Sequence, residues 1–285
     1  MMLTTTGATR RSFALVLLTI APVIGADRVT AQEPAQSSAT EEERKKLDEM
    51  KQIARAFQVS VIDAQGRRTP ATIAPEPLHC WTDPTREFSR GALWAWRSSG
   101  RLVAIYGIEL YSKSWSHEFV SLSTAPLRAD DGPFSWVPSK AGVDFHEVPD
   151  APAPVADAAG RLRQMRDLAR RFSAREFWAG RSYVLRLLPH PIDRYADPPS
   201  GLLDGAIFTY ANGTNPELLL LIEAHRQGDG TPKWSYAAAR LSRAELHLTL
   251  GQRDVWTAPI LDKDLILSPD ETYYTRLTSR RQTGR

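Results

Sequence analysis

The chain has 285 residues, 42% hydrophobic and 24% charged, which is enough apolar material for a buried core and excludes a wholly disordered chain. Its formal charge of +3 owes most to residues 1–31, where Arg10, Arg11 and Arg28 oppose Asp27. The remainder carries +1, so nothing in the overall charge points to nucleic acid.

The N-terminus reads as an export signal. TRRS (9–12) is a basic n-region, and FALVLLTIAPVIGA (13–26) is an apolar run of signal-peptide length rather than a spanning helix. Val29 and Ala31 stand at the spacing of a cleavage site, which predicts processing after Ala31. The order Thr-Arg-Arg-Ser-Phe fits a twin-arginine signal as well as an ordinary Sec signal. Either predicts a periplasmic or extracellular protein with no membrane span in its mature form. Residues 32–40 are expected to be disordered. Cys80 is the single cysteine, so no internal disulfide can form, and its apolar neighbours predict a buried thiol.

Beyond the signal, much of the chain reads twice. LDEMKQIARAF (47–57) is echoed by LRQMRDLARRF (162–172), and both place Leu, Met, Ala and Phe at three- and four-residue steps, the stripe of an amphipathic helix. Thr40 with Glu43 has the spacing of a capping box, and Asp157 can cap the second helix. APEPLHCWTDP (74–84) matches LPHPIDRYADP (188–198), GALWAW (91–96) matches GAIFTY (205–210), and WSHEFVSLS (115–123) matches WSYAAARLS (234–242). Glu109 falls on Glu223 at the end of an apolar strand in each half. The rings keep their places: Trp81 with Tyr195, Trp94 with Phe208, Trp96 with Tyr210, Trp115 with Trp234 and Trp136 with Trp256. Trp178 alone lacks a partner.

Short turn-rich connections imply antiparallel pairing. The expected fold is therefore α+β: two tandem repeats, each an N-terminal helix followed by about five antiparallel strands, packed with pseudo-twofold symmetry. The first repeat is expected over 41–138 and the second over 157–259. A Pro/Ala-rich linker fills 139–156, and a C-terminal extension with a disordered tail covers 260–285.

Chemistry is sparse. G-x-S-x-G elbows, phosphate loops, dinucleotide fingerprints and zinc-spaced histidines are absent, so no metal and no cofactor is expected. Glu109 and Glu223 are the candidate catalytic residues, since two carboxylates buried at strand ends could serve as a general acid–base pair in a hydrolase. The bland reading is that each marks where its strand meets water. Trp94, Trp96, Trp115, Trp234 and Tyr210 are candidate ligand-binding rings, or else core beneath the helices. The Arg-rich second helix reads as a solvated face.

The segments LRQMRDLARRF, LLPHPIDRY and LDGAIFTYANGTNPELLLLIEA make residues 41–259 resemble a set of uncharacterised exported bacterial proteins. That resemblance implies export and a shared fold. It implies no activity, ligand or functional residue. The sequence thus predicts a non-catalytic binding or interaction module of the periplasm or cell envelope, its partner a glycan or an envelope protein, with the Glu109/Glu223 hydrolase as the alternative.

Overall fold

The computed structural model describes residues 34–83, 88–111, 114–132, 134–262 and 267–279. The signal reading of residues 1–31 falls outside them. The chain divides into two units, Met1–Glu42 and Glu43–Arg285. Of the first, the described part is the opening of helix α1 (Pro34–Ala56), so residues expected to be disordered are helical and Thr40 lies inside the helix rather than at its start. The second unit contains every strand among the described residues.

The α+β expectation is wrong. Among the described residues strands hold 55% and helices 14%, arranged as two curled antiparallel sheets with two α-helices. Eight strands, not about five, follow α1: β1 (Gln58–Ile62), β2 (Arg68–Ile73), β3 (His79–Asp83), β4 (Phe88–Ser98), β5 (Arg101–Tyr111), β6 (Ser114–Ser121), β7 (Leu127–Asp131) and β8 (Phe134–Trp136). After the two-residue strand β9 (His146–Glu147) comes α2 (Ala158–Ala169), whose first turn is capped by the Asp157 carboxylate accepting from Gly160 N at 2.6 Å. Eight more strands follow: β10 (Phe172–Trp178), β11 (Arg181–Leu187), β12 (Asp193–Asp197), β13 (Leu202–Asn212), β14 (Asn215–Arg226), β15 (Pro232–Arg240), β16 (Glu245–Leu250) and β17 (Arg253–Ala258). Strand β18 (Tyr273–Ser279) ends the described chain, where a disordered tail was expected from about Thr278.

The first sheet runs β18-β6-β5-β4-β2-β1-β7-β8, with β3 also on β4; the second runs β9-β15-β14-β13-β11-β10-β16-β17, with β12 also on β13. The orders correspond strand for strand. Each sheet is completed by a strand from outside its own run of sequence. β9, from the linker after the first eight strands, pairs with β15 of the second sheet, while β18, from the C-terminal extension, pairs with β6 of the first over seven residues.

Side chains alternate across each strand, so every central strand feeds two cores. One face of the first sheet packs Trp94, Trp96, Tyr106 and Phe119 against Met50, Ala54 and Phe57 beneath α1. The second sheet packs Phe208, Tyr210 and Ile222 against Met165 and Leu168 of α2. Opposite faces meet in a third core, where Leu93, Ile105 and Val120 of one sheet lie on Ile207, Leu219 and Leu221 of the other. This double burial explains the near-unbroken apolar runs of β5 and β14, which polar alternation would have interrupted. At the β4–β5 turn, Ser99 and Gly100 both have positive φ, the geometry of a tight hairpin, and a Cβ on Gly100 would lie 2.5 Å from Ala196 O of the second sheet.

Candidate functional site

Glu109 and Glu223 occupy the same rung of their sheets. Gly91 faces Glu109, which faces Ser116; Gly205 faces Glu223, which faces Ser235. Both point into the layer between the sheets, but at opposite ends of it. Glu223 lies beside Arg101, the first residue of β5, whereas Glu109, near the end of β5, shares a cavity with Asn215, the first residue of β14. Asn215 and Glu223 are roughly 25 Å apart along an extended strand. The structure does not bring the two carboxylates together.

At the Glu223 end the carboxylate is 1% exposed and fully engaged. Arg101 Nη2 donates to Oε2 at 2.6 Å, His225 Nε2 lies 2.5 Å from the same oxygen, and Tyr195 OH donates to Oε1 at 2.8 Å. Burial and the neighbouring negative charge push the Tyr195 phenol well above its usual range, so it remains a donor. The adjoining cavity is small, about 460 Å³.

The Glu109 end is different. A cavity of about 900 Å³ opens between the sheets there, within the range that holds a small molecule. Four glutamates line it: Glu109, Glu118, Glu176 and Glu217. Tyr273 OH donates to Glu118 at 2.7 Å, and Asn215 Nδ2 donates to Glu217 at 3.1 Å. Glu176 accepts from Asn212 Nδ2 at 2.8 Å and from Ser242 Oγ at 3.3 Å. The rings of Trp178 and Tyr183 complete one wall, and Arg243 places its guanidinium 4.5 Å over the Trp178 ring.

The corresponding strands make the difference legible. Matched through the common ladder, Arg101 and His225 at the closed end correspond to Asn215 and Tyr111 at the open one. Glu118, Glu217 and Glu176 correspond to Ala237, Val103 and Val61. The same framework thus folds with apolar residues at three of the four carboxylate positions.

Trp94, Trp96 and Trp115 are buried in the core beneath α1, and Tyr210 and Trp234 in the core beneath α2; none lines this cavity. Glu176, Trp178, Tyr183, Glu118 and Glu217 escaped the sequence reading. The signal for them was Trp178, the ring without a partner in the other half. Cys80 is exposed rather than buried. On the Arg-rich helix, Arg161 reaches the buried Asp204 at 2.8 Å together with Arg194 and so serves the fold, whereas Arg170 pairs with Asp167 on the exposed face. Among the described residues, no group of three or more His, Cys, Asp or Glu is placed to hold a metal ion, and no helix is long and apolar enough to cross a membrane. Comparisons with protein-family models, with curated proteins and with solved structures gave no match.

Proposed function

We propose that this is an exported binding module of the periplasm or cell envelope whose small polar ligand occupies the cavity at the Glu109 end. The observation that carries this reading is the set of carboxylates Glu118, Glu176 and Glu217 at positions where the other sheet has Ala237, Val61 and Val103. Burying a carboxylate in place of a methyl-bearing side chain costs stability. Two such replacements, Glu176 and Glu217, converge with the half-buried Glu118 on one cavity, beside a tryptophan that the framework does not repeat, and fit selection for a ligand rather than for the fold. Export rests on the basic and apolar N-terminal pattern and on the resemblance to exported bacterial proteins.

A thermal-shift screen of the purified protein against sugars, amines, nucleotides and metal salts tests the reading. A ligand that binds the native state alone raises its melting temperature. The expected result is a rise with one class, lost when Glu176 and Trp178 are replaced by Val and Asp, the residues of the other half. No rise with any class, or a rise that survives the replacement, would overturn it.

A further inference from the structure

We infer that the group recognised in this cavity is an organic ammonium, seated between the Glu176 carboxylate and the rings of Trp178 and Tyr183. The inference rests on the cavity being the ligand site. Glu176 is 5% exposed, and its partners, the Asn212 amide and the Ser242 hydroxyl, are neutral. Among the described residues no cation forms an ion pair with it. A carboxylate this buried ordinarily carries a compensating charge.

The surroundings match that charge. Trp178 lies two residues from Glu176 on β10 and therefore on the same face of the strand, and Tyr183 is the cross-strand partner of Glu176. A carboxylate flanked by two aromatic faces is the chemistry that holds ammonium ions, the rings contributing through their quadrupoles. The Trp178 ring already takes one cation, the Arg243 guanidinium. The rung of Glu109 supplies a precedent within the molecule, because its equal at the other end, Glu223, binds the guanidinium of Arg101. The volume, about 900 Å³, accommodates a molecule of many atoms rather than a bare ion.

Titration calorimetry with choline, agmatine and spermidine, and with glucose and maltose as neutral comparators, tests this on the full chain. At least one amine should bind while the sugars do not. Glu176→Gln, which preserves shape and hydrogen bonding but removes the charge, should weaken that amine at least tenfold, and affinity should fall as salt rises. Trp178→Leu gives an independent reading should Glu176→Gln fail to fold, with a similar weakening expected. Sugar binding without amine binding would overturn the ammonium assignment and leave the cavity reading standing. Amine binding unchanged in Glu176→Gln and Trp178→Leu would place the cation elsewhere and overturn it too. No binding by any of the five would overturn the ammonium assignment, while the thermal-shift screen across all four ligand classes decides the cavity reading.

Discussion

Arg101 of the first sheet donates to Glu223 of the second at 2.6 Å, with the guanidinium on one β-layer and the carboxylate buried in the other. His225 lies against the same carboxylate oxygen and Tyr195 donates to the other. Removing the arginine leaves a buried charge with weaker compensation, so Arg101→Met should lower stability by about 3 kcal/mol. The double variant Arg101→Met/Glu223→Gln should recover at least half of that loss. Urea midpoints with an unchanged slope read both values. A single-variant loss near zero would mean that solvent screens the pair.

His117 links the strand exchanged from the C-terminus to the first sheet. Its Nδ1 lies 2.6 Å from Tyr106 OH and its Nε2 2.7 Å from Thr278 Oγ1 of β18. Burial, helped by the positive charge of Arg276, pulls the imidazole down to about 3. The folded protein therefore keeps His117 neutral while the unfolded chain protonates it near 6.5. Unfolding takes up a proton between those values, so this contribution to stability is complete above about pH 6.5 and declines as pH falls toward 3. The decline totals up to about 5 kcal/mol, the order expected from a shift of this size. Denaturation at a series of pH values should show it, and His117→Phe should flatten the slope in that window while lowering stability at neutral pH.

Gly91 is held against the ring of Trp81. A Cβ there would lie 2.3 Å from the indole, and the corresponding Gly205 would meet the Tyr195 ring at 2.7 Å. Gly91→Ala forces the buried indole to move, with an expected loss of about 2 kcal/mol. Trp81→Phe should relieve part of it, and a thermal-melt comparison of the single and double variants reads the coupling.

Ending the chain after Glu271 removes β18, and with it seven rungs on β6 and the Tyr274 ring from the core beneath α1. The shortened protein should lose its single cooperative transition and bind a hydrophobic dye at neutral pH. A truncated chain that melts as sharply as the intact one would show that β18 is dispensable.

Local pattern was legible in the sequence. The stripe Leu162, Met165, Ala169 lies on a helix, and Asp157 caps it. The matched glutamates, with their facing glycines and serines, fall on equal rungs. The balance of the fold was not legible. Short strands such as β8, with its three residues, and β9, with two, have no periodicity to detect, and the pairing of Tyr273–Ser279 with a strand some 160 residues earlier leaves no local mark. The site escaped for a related reason. Agreement between the halves identifies the residues that build the framework, and Glu176 and Trp178 are residues in which the halves disagree.

The exchange of β9 and β18 ties assembly to the order of synthesis. The earlier layer stays unfinished, its β6 margin open, until Tyr273–Ser279 has been made, whereas the later layer finds its missing margin already waiting in the preceding stretch. Severing the peptide between Val148 and Asp157 should accordingly yield two fragments that remain interlocked and part only on denaturation.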